Sequence, residues 1–359
     1  GGVEGAFYLW SRAEVNAALG DADGDAICRA YGVTSQGNFA QGKSVLHVAN
    51  EEVSRDAADG IVQSKQKLLD VRNRRIRPAT DDKILTGWNG LMISAFAIGY
   101  QVLRDRRFLD AATSAAEFIL ENLRKDGLLF RRYRDREASF AGTLEDYAFL
   151  IAAVLDVYEA CFDPKWVREA LYLNGMMTEL FWDKANGGFF FNRSTEAEVI
   201  APIKEAYDGP IPSGNAIAAQ NLLRLAALTG DEELRMRAKD IFLIFDLEES
   251  PLEHTQMLCA LELFLSSPTQ IVLAGQRVEA AYAEEIGRHF LPNKVLVFAR
   301  PGDDELSALI PGINDKVAVQ GKPTVYICEN YTCKAPITDL EDLERALSPP
   351  ASHQNPDSE

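Results

Sequence analysis

The chain has 359 residues, 47% of them hydrophobic, and carries a formal net charge of −17. This length suits one large domain with a smaller one, and the composition is that of a globular protein with a sizeable core. The negative charge argues against nucleic acid and anionic membrane surfaces as partners, because both select basic patches. No apolar run approaches the roughly 18–20 residues of a membrane span, so we expect no membrane partner.

The first segment, residues 1–50, is predicted to be a hairpin and helix remnant that leads into a barrel. A β-hairpin strand is expected over 5–10, and the spacing of Ser11 and Glu14 is that of a capping box, which starts a helix. A long helix is expected over 50–75, ending in a basic run that suits a solvated helix end. Because the chain begins with glycine and not with Met, we expect it to be a piece of a longer protein.

The middle of the chain, residues 51–267, is predicted to be an α/α toroid of helical hairpins. Stretches 88–112, 146–170 and 214–238 align without gaps, at offsets of 58 and 68 residues. Each pairs a helix that is apolar almost all round, and hence buried on both sides, with an amphipathic helix. An open solenoid has the same local pattern, but the irregular connections and the aromatic β-prone stretches favour a closed cavity.

Three of these hairpins are complete, whereas six would close a barrel. The sequence therefore predicts a mainly α protein whose toroid, of the six-hairpin glycosidase-like kind, is incomplete in this chain.

Residues 268–347 are predicted to form a small parallel α/β domain, followed by a disordered tail over 348–359. The strands are expected over 270–275, 294–298 and 324–328, and the helices over 278–290 and 339–347.

The five cysteines have no spacing that indicates a disulfide framework. Cys328 and Cys333 are too far apart for a CxxC redox pair, and two thiols do not make a zinc site. We therefore predict ordinary reduced cysteines, no metal and no cofactor. The expected location is the cytoplasm or another reducing compartment.

The candidate site residues lie where the inner helices of the toroid begin. A carboxylate or amide hydrogen-bonds to hydroxyl groups, and an indole face stacks on the apolar face of a sugar, so this ring predicts a sugar-like ligand. Asp, Asn and Ser are also the preferred helix caps, and a structural role stays open for each residue. The predicted ligand-binding residues are Trp88, Asn89, Tyr147, Asp208, Ser213, Asn215 and His254.

Asp82, Glu145 and Asp146 are the candidate catalytic residues. Glycoside hydrolysis needs one protonated and one ionised carboxyl group, and burial with mutual repulsion can separate their pKa values. Sugar epimerisation would instead use basic groups, usually histidine, of which the chain has four. Whether the protein is an enzyme stays open; if it is, glycoside hydrolase-like and sugar epimerase-like reactions are the alternatives.

Several motifs resemble those of the spermatogenesis-associated thioredoxin-like protein family. They are DDKILTGWNGLM at 81–92, LEDYAFL at 144–150, DG-x-x-PSGN at 208–215, GAFYLW at 5–10, YICEN at 326–330 and PITD at 336–339. The resemblance covers essentially the whole chain. It implies an N-terminal thioredoxin-like domain, then a six-hairpin barrel similar to those of glycosidases and sugar 2-epimerases, then a small C-terminal domain. The thioredoxin-like domain and the first hairpins have no counterpart here.

Three functional hypotheses follow from these features. The first is a carbohydrate-processing or carbohydrate-binding barrel with a small sugar-like ligand. The second is a non-catalytic scaffold or partner-binding module that serves the thioredoxin-like domain of the full-length protein. A peptide-binding open solenoid is a third.

Overall fold

The computed structural model describes residues 4–49, 58–193, 201–266, 268–329 and 332–348. The chain divides into two compact units, Gly1–Asp82 and Lys83–Glu359, which are described separately. The domain limits expected after residues 50 and 267 stay a prediction. All but the first residue of the expected disordered tail lie outside the described ranges.

The first unit contains α1 (Arg12–Leu19), α2 (Asp21–Ala30) and α3 (Ala58–Asn73) around a small apolar core. The predicted capping box is confirmed: the amide of Glu14 donates to Ser11 Oγ over 3.2 Å, and the amide of Ser11 donates to Glu14 Oε2 over 2.7 Å. Residues 50–57 of the expected long helix lie outside the described residues.

The strand expected over 5–10 is replaced by a turn. Gly5 has a φ of +70°, and its carbonyl accepts from the amides of Tyr8 (2.8 Å) and Leu9 (3.2 Å). Trp10 makes only an isolated antiparallel bridge to Ser44. Arg75 stabilises this turn in place of a strand. Its guanidinium donates to the carbonyls of Phe7 and Leu9 and stacks 4.0 Å from the Trp10 ring centroid. One arginine of the basic run thus has a packing role.

The second unit begins with helical hairpins, as the repeats predict. The inner helices are α4 (Thr86–Leu103), α6 (Leu144–Cys161), α8 (Gly214–Thr229) and α10 (Thr255–Ser266). The outer helices are α5 (Arg106–Asn122), α7 (Pro164–Phe181) and α9 (Glu232–Ile244). Each inner helix packs on the next along the chain, and each outer helix packs on its own inner partner. The fold is therefore mainly helical and forms an arc of an α/α toroid.

The turn inside each hairpin has the same design. The inner helix ends in the left-handed conformation at Arg104 (φ 56°), Phe162 (φ 59°) and Gly230 (φ 74°). The next residue is aspartate in all three hairpins, and its side chain accepts from the amide two residues on. Because aspartate is a strong N-cap, it starts the outer helix at once and fixes the hairpin length.

Inner helices α4 and α6 approach closely at a glycine. A Cβ added to Gly90 would lie 2.8 Å from the backbone carbonyl carbon of Phe149. Larger residues at position 90 would force the two helices apart, which explains why the apolar inner helix carries a glycine near its start.

Short strands flank the first hairpin. The strand β1 (Ile84–Leu85) precedes it, and β2 (Arg124–Lys125), β3 (Leu128–Arg134) and β4 (Glu137–Ala141) follow it. The strand β3 pairs antiparallel with each of the other three. The β-prone stretch after the second hairpin is 187–191. Among its residues, all of them described, only Phe189 makes a β-bridge, which is an isolated one to Trp182.

The C-terminal part holds a second sheet, with strand order β6-β5-β7-β8. Its strands are β5 (Thr269–Ala274), β6 (Lys294–Ala299), β7 (Thr324–Glu329) and β8 (Thr332–Cys333), and its helices are α11 (Ala280–Arg288), α12 (Asp304–Leu309) and α13 (Leu340–Leu347). The pairing of β5 with β6 is parallel, as expected, but β5 pairs antiparallel with β7. The sheet is therefore mixed and not wholly parallel.

The prediction that Cys328 and Cys333 are reduced thiols differs from the structure, where they form a disulfide. The two residues face each other in the antiparallel register of β7 and β8, and their Cα atoms are 3.9 Å apart. Directly opposed residues of an antiparallel pair are close enough for such a bond. The spacing of the two cysteines is therefore that of a hairpin cross-link, an alternative that a search for zinc or CxxC patterns does not consider.

A candidate ligand cavity

A cavity of about 440 Å³ lies between the inner helices and the segment 286–294, which runs from the last turn of α11 to the first residue of β6. Its volume is within the range of small-molecule sites. The helices α4, α6 and α8 contribute their residues at matching repeat positions, spaced three or four residues apart, as one helix face requires. These lining residues are Leu91, Ser94, Ile98 and Gln101; Phe149, Ala152, Asp156 and Glu159; and Ile217, Gln220 and Arg224.

Two carboxylates and two cations form a buried cluster in the wall of the cavity. Arg224 Nη2 lies 2.8 Å from Asp156 Oδ1 and 3.0 Å from Glu159 Oε1. Lys294 Nζ lies 3.3 Å from Glu159 Oε2 and 3.3 Å from Gln101 Oε1. All four charged side chains are less than a fifth exposed. Buried charges are tolerated only when they are paired in this way.

The two carboxylates differ in their protonation equilibria. Burial raises the pKa of Asp156, and the charge of Glu159 raises it further, against the opposing effect of Arg224. Burial also acts on Glu159, but Lys294 and Arg224 together hold its pKa below the usual value. The cation Lys294 thus makes Glu159 the more acidic of the pair.

The cavity also has uncharged hydrogen-bonding groups. The side-chain amide of Gln256, at the start of α10, donates to Gln220 Oε1 over 3.0 Å. Ser94 of α4 also lines the cavity. The lining therefore combines apolar surface with amides, a hydroxyl group and a compensated ion cluster.

The predicted site residues lie at the N-terminal ends of the same helices, and the structure brings three of these ends together. The amide of Gly87 in α4 donates to Asp146 Oδ1 of α6 over 2.9 Å. A Cβ added to Gly214 in α8 would lie 2.9 Å from the Leu144 side chain and 3.4 Å from the Glu145 nitrogen. The glycines allow this convergence.

Asp146, Tyr147 and Asn215 are buried and hydrogen-bonded to the backbone. Asp146 Oδ2 accepts from the amide of Thr143 over 2.9 Å, which caps α6. The Tyr147 hydroxyl accepts from the amide of Leu129 over 2.9 Å. Asn215 accepts from the amide of Phe189 and donates to its carbonyl, both over 2.9 Å. Burial raises the pKa of Asp146.

Asp208, Ser213 and His254 form a second group, beside α8 and α10. Asp208 Oδ1 accepts from the amide of Ser213 over 2.7 Å, and Oδ2 accepts from the amides of Gln256 (2.8 Å) and Met257 (3.2 Å). Ser213 caps α8, and Nδ1 of His254 lies 2.8 Å from the carbonyl oxygen of Ala206. Asp208 therefore caps α10 and ties its start to the loop before α8.

The remaining predicted residues are more accessible. Glu145 is half-buried, and burial raises its pKa, with contributions from Asp146 and Glu205 and an opposing one from Arg131. The Trp88 side chain is exposed, and the side-chain amide of Asn89 donates to the Leu85 carbonyl over 2.8 Å. Asp82 is exposed and is the last residue of the first unit. The acid and base roles of these residues stay predictions.

Sequence reasoning missed the ion cluster, although the repeats contained its signal. Asp156 and Arg224 are separated by the 68-residue offset, and Gln101 and Glu159 by the 58-residue offset. Polar residues at matching positions of otherwise apolar inner helices indicate a shared polar cavity. Attention to the helix starts alone does not reveal it.

Two negative findings apply to the described ranges only. No helix there combines the length and the apolar composition needed to cross a membrane. No group of three or more His, Cys, Asp or Glu side chains in those ranges is arranged to hold a metal ion.

The fold and the cavity together define an α/α-toroid protein with a polar central cavity. The chain is 31% identical to spermatogenesis-associated protein 20 of Homo sapiens over an alignment of 394 positions, gaps included, which covers 96% of the chain and 50% of that relative. It is also 31% identical to the Rattus norvegicus protein of the same name, over 96% of the chain and 49% of the relative. The chain is thus similar to members of this family over nearly its whole length, and it spans about half the length of the curated relatives it matches. No protein-family model matches the chain.

Solved structures of carbohydrate-processing enzymes are distantly similar. Cellobiose 2-epimerase from Bacillus thermoamylovorans has a TM-score of 0.43 at 13% identity, covering 72% of this chain and 68% of that one. A GH76 α-mannanase from Bacteroides thetaiotaomicron has a TM-score of 0.39 at 15% identity, covering 53% of this chain and 56% of that one. We draw no functional argument from likenesses at this level.

Proposed function

We propose that the chain is part of a carbohydrate-processing or carbohydrate-binding α/α barrel protein, and that the central cavity holds the ligand. The observation that carries this proposal is the lining of the cavity, which repeats around three inner helices. Amide, hydroxyl and carboxylate groups such as those of Gln220, Ser94 and Glu159 can hydrogen-bond to a polyol, and Leu91 and Phe149 offer apolar surface.

The charges of the cavity favour an uncharged ligand. Arg224 and Lys294 are both bound by carboxylates, so neither cation is left to bind a phosphate or a uronic acid. A charged ligand would have to break a buried ion pair, which costs several kcal/mol (~3–5). Neutral mono- and disaccharides are therefore the ligands to test first.

The predicted site residues lie at the helix starts and are not among the residues that line the cavity, so a catalytic role for them requires a ligand that extends from the cavity to the helix starts. Among them, Glu145 is the strongest candidate for a general acid. A raised pKa keeps a carboxyl group protonated nearer neutrality, as proton donation to a leaving group requires. Asp146 is proposed as the second acid or base group or as a hydroxyl-binding group, and the role expected of Asp82, which belongs to the first unit, stays a prediction from the sequence. Trp88, Asn89 and Tyr147 would then shape the site. The other side of the site would be formed by Asp208, Ser213, Asn215 and His254.

A sugar panel tests the proposal. Glucose, mannose and cellobiose at millimolar concentration are expected to raise the melting temperature of the protein, because ligand that binds only the folded state stabilises it by mass action. The variant Gln220→Ala should show a smaller increase, while Gln66→Ala, in the first unit, serves as the control and should respond as the wild type does. The absence of any shift with every sugar would contradict the proposal.

A second function is favoured by the hydrogen bonds of the predicted site. The side chains of Asp146, Tyr147, Asp208 and Asn215 are bound to backbone groups and so act as structural caps and braces. On this alternative the barrel is a non-catalytic scaffold or partner-binding module for an N-terminal thioredoxin-like domain. Loss of turnover in stably folded Glu145→Gln, with any sugar, would exclude it.

A further inference from the structure

An aromatic side chain at the cavity lining is almost fully exposed. Phe290 lines the cavity and is 91% exposed, the largest fraction among the described large hydrophobic residues that are exposed. Removing a phenylalanine side chain from water is favourable. The fold forgoes this stabilisation at a position where a bound molecule would recover it.

The segment that carries Phe290 is anchored on both sides. His289 Nε2 lies 2.9 Å from Glu285 Oε1, and the amide of Thr269 donates to the Asn293 carbonyl over 2.9 Å. Lys294, four residues after Phe290, reaches Glu159 of the ion cluster. The ring is thus presented from a short turn with fixed ends, and little conformational entropy would be lost when a ligand contacts it.

The chemistry of the lining indicates what this ring contacts. Gln220, Gln256 and the ion cluster supply hydrogen-bonding groups, and Phe290 supplies an apolar face. A pyranose ring needs both, since its hydroxyl groups point outward and its axial C–H groups form an apolar face that packs on an aromatic ring.

We infer that Phe290 is an aromatic contact for a neutral sugar bound in this cavity. The C-terminal part of the chain, which holds the second sheet, then supplies part of the site. The inference rests on the proposed function, and it adds a specificity-determining residue outside the toroid helices. A protein partner that covers Phe290 is the competing occupant, and sugar titration separates the two.

The test compares the variants Phe290→Ala and Phe290→Tyr with Leu243→Ala, which removes a 72% exposed side chain on the outer helix α9. Glucose and cellobiose are titrated by isothermal calorimetry. Phe290→Ala should weaken binding about threefold to tenfold, while Phe290→Tyr and Leu243→Ala should bind as the wild type does. The melting temperature without sugar should not change in any of the three, because the mutated side chains are exposed.

The outcomes distinguish the two proposals. Wild-type affinity in Phe290→Ala would overturn the role of Phe290 and leave the sugar cavity standing. No binding of either sugar to the wild type would overturn the role of Phe290, and no binding across the wider sugar panel would overturn the proposed function as well.

Discussion

Arg224 Nη2 lies 2.8 Å from Asp156 Oδ1, and the two residues occupy the same position in successive hairpins. The same position of the repeat therefore holds an acidic residue in one inner helix and a basic residue in the next, and the two side chains pair in the wall of the cavity. The pair, with Glu159 and Lys294, gives the toroid a polar interior where apolar packing would otherwise be expected.

Removal of Arg224 should be strongly destabilising. The variant Arg224→Met leaves Asp156 with no cation and Glu159 with only Lys294, and such breakage of a buried ion pair costs about 3–5 kcal/mol of unfolding free energy. The matched control is Arg237→Met, which breaks an i,i+4 pair with the exposed Glu233 and should cost about 0.3–0.5 kcal/mol. Urea denaturation followed by circular dichroism measures both. Equal losses in the two variants would show that the cluster is not a buried network.

The stabilisation by Glu159 should depend on pH in a defined direction. Its folded-state pKa is lowered from 4.5, so its contribution is fully present above the unfolded pKa and is lost as the pH falls through the lower folded value. The difference in unfolding free energy between wild type and Glu159→Gln should therefore shrink below about pH 4.5. Glu233→Gln is the exposed control. A difference that grows on acidification would mean that the carboxylate is destabilising in the folded protein.

Asp208 should act as a helix cap whether or not it contacts a ligand. Asp208→Ala removes the acceptor for the amides of Gln256 and Met257, and the loss of such a cap costs about 0.5–2 kcal/mol. Asp246→Ala, which removes an acceptor from an exposed turn, should cost less. Thermal denaturation of the two variants checks the ranking, and an unchanged melting temperature in Asp208→Ala would contradict the capping role.

Gly287 of α11 should allow the C-terminal part of the chain to pack closely against α4 of the toroid. A Cβ at this position would lie 2.2 Å from the carbonyl oxygen of Gln101, so Gly287→Ala should destabilise by about 1–3 kcal/mol. The sign of the change in unfolding free energy is informative, because alanine in a helix is otherwise favoured over glycine by about 1 kcal/mol. Gly312→Ala meets no atom within 4 Å and is the control. If Gly287→Ala proved stabilising by equilibrium denaturation, the close approach would be wrong.

The disulfide gives a count that can be measured directly. In the structure Cys328 and Cys333 are bonded, and Cys28, Cys161 and Cys259 are free. Thiol titration of protein purified and denatured without reductant should therefore find three thiols, and the same assay after reduction should find five. Five thiols before reduction would restore the prediction made from the sequence.

Much of the fold could be predicted because its determinants are local. The offsets of 58 and 68 residues placed the inner and outer helices, and the aspartates after Arg104, Phe162 and Gly230 fixed where each outer helix begins. The strand expected over 5–10 failed for the opposite reason. Its residues include the aromatic types that strands favour, but the guanidinium of Arg75, distant in sequence, binds the carbonyls of Phe7 and Leu9 and stabilises a turn.

The candidate site could be predicted only in part. Helix starts are visible in the sequence, so Asp146 and Asn215 can be predicted to lie there, but their hydrogen bonds to backbone atoms depend on tertiary contacts. Phe290 and Lys294 also line the cavity, but they belong to the C-terminal part of the chain, which holds the second sheet. No periodicity in the sequence links them to the inner helices. The repeat could have led to Asp156 and Arg224, but the segment 286–294 could not be assigned to the cavity without the fold.

On the proposed function, a neutral sugar occupies the cavity between the inner helices and the segment 286–294. The most direct measurement is a crystal structure of the protein grown with cellobiose or glucose at millimolar concentration. We predict electron density for the sugar in this cavity, with hydroxyl groups hydrogen-bonded to Gln220 or Gln256 and one ring face against Phe290. A sugar bound only elsewhere on the protein, or an empty cavity in crystals where calorimetry under the same conditions also detects no binding, would contradict the claim.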